Sequence, residues 1–240
     1  MSPRVLVVQH QEDCPPGWLG DWLVEGGCRL DVRRADRGDP VALEQHDGVV
    51  VLGGFPNAHD DLTAPWLPAV RTMCAAALAR ELPMLGICLG HQLLAATVGG
   101  RSVPNPNGQQ IGVLMMGWTG SASGDPLVGS LPGRAVQWNG DVVVDLPDSV
   151  EVLARAGGGE VQAARFGPVA WGLQCHPEAD AAICAGWAEH DRATYAARGE
   201  DVSAYVEQVR AAEPELGDTW RPVGSAFAAL VHGRAGQARR

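Results

Sequence analysis

Positive charge is scarce in this chain: Lys and Arg number 18 against 28 Asp and Glu, a formal net charge of -10 over 240 residues. Nucleic acid and anionic membrane surfaces are held largely by positive side chains, so neither is an expected partner. Long apolar runs are absent as well, and nothing approaches the roughly 20 residues that a membrane-spanning helix needs. No leader is expected ahead of the first apolar segment, since Met1-Ser2-Pro3-Arg4 runs directly into Val5-Leu6-Val7-Val8. The six cysteines (14, 28, 74, 88, 175, 184) lack the paired spacing of a metal site or a disulfide frame. Free thiols in a reducing cytoplasm are therefore expected, with no metal and no cofactor. With 46% hydrophobic and 19% charged residues, the composition is that of an ordinary folded protein. Neither a repeat nor a linker divides the chain, and we expect a single domain over 1–240.

What is present is organised around Pro83-Met84-Leu85-Gly86-Ile87-Cys88-Leu89-Gly90-His91-Gln92-Leu93-Leu94. A short apolar strand enters Gly-x-Cys-x-Gly and passes at once into a helical run that ends at Gly99-Gly100, the pattern of a nucleophile elbow with cysteine in place of serine. Such a turn holds its central residue in a strained conformation, and side chains two positions to either side would collide. It lifts Cys88 to the carboxyl edge of a sheet, where the first amides of the helix favour a thiolate and face a developing oxyanion. A buried structural cysteine between two tight-packing glycines is the competing reading.

A thiol nucleophile needs a base, and the base needs a group to orient it. Val169-Ala170-Trp171-Gly172-Leu173-Gln174-Cys175-His176-Pro177-Glu178 reads as a buried strand ending in a polar corner stiffened by proline, with His176 and Glu178 two residues apart. By itself His-Pro-Glu is a common surface turn. With the elbow it completes a set.

Together these stretches resemble the class I (triad) glutamine amidotransferases, whose marks are a Gly-x-Cys-x-Gly-His-Gln elbow and a late Gly-x-Gln-x-His-Pro-Glu. Trp138-Asn139-Gly140-Asp141, the following Leu146-Pro147 and Trp171 are most similar to GMP-synthase-like, free-standing members. The resemblance runs from the first strand to Glu178 and fades beyond it. It implies that Cys88 attacks the side-chain amide of glutamine, His176 carries the proton to the leaving ammonia and Glu178 orients His176. It also implies an oxyanion hole from the amides of Gly54 and Leu89, and substrate contacts from Gly53, Gln92, Asn139 and Gly140. His91 belongs to the motif but stays outside the triad. Two departures stand out: Cys175 replaces the phenylalanine common before His-Pro-Glu, and Asn139 replaces the histidine of Trp-His-Gly-Asp.

The remaining pattern alternates strand and helix. Strands are expected at Val5–Gln9, Cys28–Val32, Asp47–Leu52 and before Cys88, with a short helix opened by Pro15-Pro16-Gly17 and stopped by Gly26-Gly27 and another around Val70, Met73, Ala77 and Leu78. Arg33–Gly38 reads as a solvated loop, and Gly53-Gly54-Phe55-Pro56-Asn57 as a strand-end loop whose glycines let amides approach a ligand. After Gly99 come β-rich runs at Gln110–Trp118, Ala135–Trp138, Asp141–Val144, Val150–Ala154, Val161–Phe166 and Val169–Cys175, with a loop at Asn105–Gly108. The fold class expected is α/β, with a doubly wound sheet and an antiparallel extension; the resemblance sharpens this to a three-layer α/β/α, flavodoxin-like, mostly parallel sheet. Helices are expected over 179–213 and from about Val223 to Val231, so that 179–232 forms a helical region ahead of a frayed basic tail, 233–240.

Three functions fit. One is ammonia supply to a separate synthetase chain, expected because these 240 residues hold no Ser-Gly-Gly-x-Asp-Ser nucleotide loop and read as one domain. Another is a free-standing hydrolase of γ-glutamyl peptides or amides. The last is a non-catalytic binding or regulatory module on the same scaffold, against which the intact Cys88, His176 and Glu178 speak. The expected ligand is glutamine or a γ-glutamyl small molecule.

Overall fold

A computed structural model describes residues 2–129, 131 and 133–237. The first half follows the expected alternation: β1 (Arg4–Gln9), α1 (Gly17–Glu25), β2 (Arg29–Arg34), β3 (Gly48–Val51), α2 (Leu67–Ala79), β4 (Met84–Ile87) and α3 (Leu89–Thr97). Then come β5 (Arg101–Pro104), β6 (Gln110–Met115), β7 (Arg134–Asn139), β8 (Asp141–Asp145), β9 (Glu151–Arg155), β10 (Val161–Gly167) and β11 (Ala170–Leu173). Two helices follow, α4 (Ala181–Ala197) and α5 (Ser203–Gln237).

The main sheet runs β2-β1-β3-β4-β11-β10-β8-β5, with β9 also on β10. Its first five strands are parallel and the rest antiparallel, a flavodoxin-like order with an antiparallel extension. The two-residue period of a strand sends neighbouring side chains to opposite faces. Val5 and Val7 of β1 accordingly pack with α1 and α5, while Leu6 and Val8 pack with α2 and α3. That alternation makes the three layers. β6 and β7 form a separate pair outside the main sheet.

The register brings the two motifs to one edge. β11 lies parallel to β4 with Gly172 opposite Gly86 and Leu173 opposite Ile87, and the Cys88 N–H donates to the Leu173 carbonyl at 2.8 Å. Cys88, the Gly53-Gly54 loop and His176 therefore leave three neighbouring strands at their carboxyl ends.

Several expectations change. Arg33 and Arg34 belong to β2, and Ala35–Arg37 form a 3-10 turn, so the loop is shorter than its charge suggested. An unexpected strand, β5, pairs with β8 at the sheet edge, where Pro104 is tolerated. The run from Gln110 ends as a strand at Met115, and Trp118 makes a single bridge to Ala154. The helix expected from Val223 to Val231 is instead part of one 35-residue helix that continues through Pro214 and Pro222. Its tail also differs, because Gly233–Gln237 are helical; Ala238–Arg240 lie outside the described residues.

Burial explains the continuity of α5. Val206, Val209, Leu216, Trp220, Val223, Phe227 and Val231 recur at helical spacing and are all buried. Each interior proline costs about 3 kcal/mol. Burying a large apolar side chain returns roughly 1.5–3 kcal/mol, so the buried stripe outweighs two prolines. Phe227, fully buried in the layer shared with α1, tests this. Phe227→Ala should lower the unfolding free energy by about 3–5 kcal/mol in urea titration; a loss under about 1 kcal/mol would mean that α5 is not part of the cooperative core.

Candidate active site

Cys88 sits between β4 and α3 at φ 49° and ψ -104°, a strained backbone for a residue with a side chain. Glycine on either side permits the turn. A β-carbon at Gly86 would come within 2.6 Å of the Gly90 backbone, and one at Gly90 would run into the Val51 carbonyl of β3. Gly53 keeps open the space between the Cys88 and His176 side chains: a β-carbon there would lie 3.1 Å from the His176 ring and 3.5 Å from the Cys88 β-carbon.

His176 follows β11, and its N–H is tied to the Val136 carbonyl of β7 at 2.8 Å. Its Nδ1 lies 2.7 Å from Glu178 Oε1; since a carboxylate only accepts, Nδ1 carries the proton and Nε2 is left for other work. Nε2 is buried and closes no hydrogen bond of ordinary geometry, yet it is near enough to Cys88 to feel the sulfur's charge. Both residues of the His–Glu pair are buried, at 4% and 1% exposure. Burial alone would lower the His176 pKa, but the charges of Glu178 and Cys88 outweigh it and hold the ring well above the usual imidazole value.

A cavity of about 200 Å³ opens beside the sulfur. Of the residues singled out in the sequence, Gly54, Cys88, Gln92, Asn139 and Gly140 line it. Gly53, Leu89, His176 and Glu178 are not part of that lining. Leu89 is the first residue of α3 and adjoins Gly54, whose β-carbon would approach the Leu89 side chain to 3.0 Å. Gln92 donates from Nε2 to the Asp141 carbonyl at 3.1 Å and to Gln174 Oε1 at 3.3 Å. Asn139 Nδ2 donates to the same Asp141 carbonyl at 3.1 Å, and its Oδ1 is buried without a partner. His91 faces elsewhere: it is fully buried, edge-on to Phe166 at 5.8 Å, and burial lowers its pKa to about 4. Cys175 is buried, and burial pushes its thiol well above the ordinary range.

Other residues complete the site that sequence reasoning passed over. Gln174, inside the late motif, donates to Cys88 Sγ at 3.5 Å. His10, at the end of β1, is buried with its β-carbon against Gly54, and Trp66 donates to its Nδ1 at 3.1 Å. From α4, Trp187 covers the His176 ring at 4.6 Å, His190 stacks on Phe55 at 4.0 Å and Asp191 lines the cavity. Motif position pointed to Gln174; no local signal marks the α4 residues.

Residues 18–182 match the family model described as Glutamine amidotransferase class-I. The chain belongs to this family. It is 33% identical over 154 residues to a glutamine-hydrolyzing GMP synthase subunit of Halobacterium salinarum, covering 62% of this chain and 75% of that one. It is 28% identical over 163 residues to gamma-glutamyl peptidase 5 of Arabidopsis thaliana, covering 64% and 63%. Among solved structures, a glutamine amidotransferase from Thermotoga maritima superposes with a TM-score of 0.85 at 27% identity, covering 95% of this chain and 99% of that one. The chain spans about a quarter of a full-length relative, 23% of the GMP synthase of Thermomicrobium roseum. No helix among the described residues is long and apolar enough to cross a membrane.

A raised His176 pKa has a readable sign. The protonated ring adds stability that is fully present below the unfolded value of about 6.5 and is lost as pH rises through the higher folded value. In an NMR titration the His176 ring should remain doubly protonated through neutral pH and release its proton only well above 6.5, towards about 10. A midpoint at or below 6.5 would mean that burial, and not the flanking charges, controls the ring.

Proposed function

We propose that this amidotransferase-family chain hydrolyses the γ-amide of glutamine through a glutamyl thioester on Cys88 and supplies the ammonia to a separate acceptor chain. The observation that carries this reading is the 2.7 Å His176–Glu178 contact beside a strained Cys88 at the rim of a cavity. The Cys88 thiolate attacks the amide carbon while His176 Nε2 gives its proton to the departing nitrogen. The C–N bond breaks, ammonia leaves and a thioester remains. A water then attacks the thioester, His176 takes its proton, and glutamate leaves as the thiolate is restored. The amides of Gly54 and Leu89 hold the oxyanion in both steps. Gln92, Asn139, Gly140 and Gly53 shape the substrate end of the site. We read the entire chain, 1–240, as one domain, because α4 walls the cavity and α5 shares a core with α1.

The cavity volume favours glutamine, since about 200 Å³ is below the usual range of roughly 300–1,000 Å³ for drug-sized ligands. Similarity to one component of a GMP synthase built from separate chains supports a separate acceptor. A second reading, hydrolysis of γ-glutamyl peptides, draws on the similarity to a γ-glutamyl peptidase.

Cys88→Ala and His176→Asn should each lower ammonia release by about 10³-fold or more, and Glu178→Gln should be milder by one to two orders of magnitude. Ammonia assays on the purified variants check this, and wild-type rates in any two of the three would end the triad assignment. Offered glutamine and a γ-glutamyl dipeptide at equal concentration, the isolated chain should favour glutamine, or be slow on both if it waits for its acceptor. Robust dipeptide cleavage with negligible glutaminase activity would select the peptidase reading.

A further inference from the structure

We propose that Asp191, on α4, receives the α-ammonium group of the substrate and makes the site selective for γ-glutamyl amides with a free α-amine. This rests on the reading of Cys88 as the nucleophile of an amide hydrolase. It adds a residue that lies outside the segment matching the family, which ends at 182.

Among the described residues the cavity is lined by two carboxylates, Asp141 and Asp191, and by no cationic side chain. The chain contains no lysine, so every permanent side-chain cation is an arginine, and no arginine among the described residues borders this space. Asp141 is occupied in joining loops: its Oδ2 accepts from Asn57 at 2.7 Å, and its carbonyl accepts from Gln92 and Asn139. Asp191 is held differently. Its Oδ2 accepts from Trp138 Nε1 at 2.9 Å and more weakly from Gln109 Nε2 at 3.5 Å. Tyr195 donates its hydroxyl hydrogen to Gln109 Oε1 at 2.8 Å, which turns the Gln109 amide so that its NH₂ faces Asp191.

All of these donors are neutral, and among the described residues Asp191 makes no ion pair. Its negative charge is oriented but not compensated. Both bonds fall on Oδ2, so Oδ1 is the oxygen available to a ligand. Helical spacing explains how one element provides this: Trp187, Asp191 and Tyr195 are four residues apart on α4 and share one face. Trp187 covers His176, Asp191 borders the cavity and buried Tyr195 fixes the chain of bonds behind it.

Beyond the amide that meets Cys88, glutamine carries an ammonium and a carboxylate on its α-carbon. A fixed carboxylate attracts the first and repels the second. The same contact serves any γ-glutamyl amide with a free amine, and it is absent for glutaramate, which keeps the amide and the far carboxylate but has no amine.

The test compares wild type, Asp191→Asn and Asp191→Ala on glutamine and on glutaramate. Asp191→Asn keeps an oxygen for Trp138 and removes only the charge. We expect it to raise KM for glutamine about 10- to 100-fold, the range for losing a hydrogen bond to a charged group, with kcat within a few-fold. Its kcat/KM on glutaramate should be unchanged or higher, so the preference for glutamine collapses. An equal loss on both substrates would show Asp191 to be structural and overturn the proposal, as would an unchanged KM for glutamine. A second readout needs no turnover: alkylation of Cys88 by chloroketone analogues of glutamine with and without the α-amine, followed by intact mass. Wild type should react faster with the amine-bearing analogue and Asp191→Asn should not. If wild type labels with no such preference, the Asp191 assignment alone falls. If it neither labels nor releases ammonia, the reading of Cys88 falls and takes this one with it.

Discussion

The close passage of β3, β4 and the start of α3 past one another is the constraint on which the site depends. Gly90 lies against the Val51 carbonyl, and Gly86 lies against Gly90, so neither position has room for a side chain. This packing forces the chain through φ 49° at Cys88, a conformation that costs on the order of 1–3 kcal/mol and persists only where its surroundings determine it. Here they do: the Cys88 N–H is bonded to β11, and the fully buried Leu89, Leu93 and Leu94 of α3 pin the other side of the turn. Strain at the sulfur is thus maintained by ordinary strand pairing and core burial.

That arrangement sets what the neighbouring polar groups can be. Because β11 pairs in register with β4, the residues following each strand emerge side by side, and His176 arrives where Cys88 is already fixed. In the buried His176–Glu178 pair attraction outweighs desolvation of the ring, and removing one partner would leave the other buried and uncompensated. The 2.7 Å contact also fixes which ring nitrogen faces the carboxylate. Gln174 and Gln92 extend the same principle, with amide groups that hold one another and the sulfur in a fixed relation.

The C-terminal helices have two separate uses. α5 completes the layer that also contains α1, and its apolar stripe is long enough to carry two prolines within a single helix. α4 closes the site, starting from a side-chain cap in which Asp180 accepts from the Ile183 N–H at 2.8 Å. It delivers Trp187, His190 and Asp191 to three different parts of the cavity wall. The wall facing the shared family core thus comes from residues beyond the segment that matches the family model, which ends at 182.

Much of this could be read from the chain alone. Apolar strands ending in glycine turns, the Gly-x-Cys-x-Gly elbow and the His-Pro-Glu corner are local signals, because strand period, turn sterics and motif spacing act over a few residues. They are sufficient for the α/β layers and for proposing that Cys88 works with a distant histidine and glutamate. What the tertiary structure alone decided depends on contacts between residues far apart in sequence. β5 is a strand because β8 offers it an edge, and α5 continues through Pro214 and Pro222 because burial of its far face outweighs their local penalty. Asp191 and Trp187 look like ordinary helix residues in sequence. They border the site only because α4 folds back across the carboxyl ends of the strands, and no pattern within α4 encodes what it will lie against.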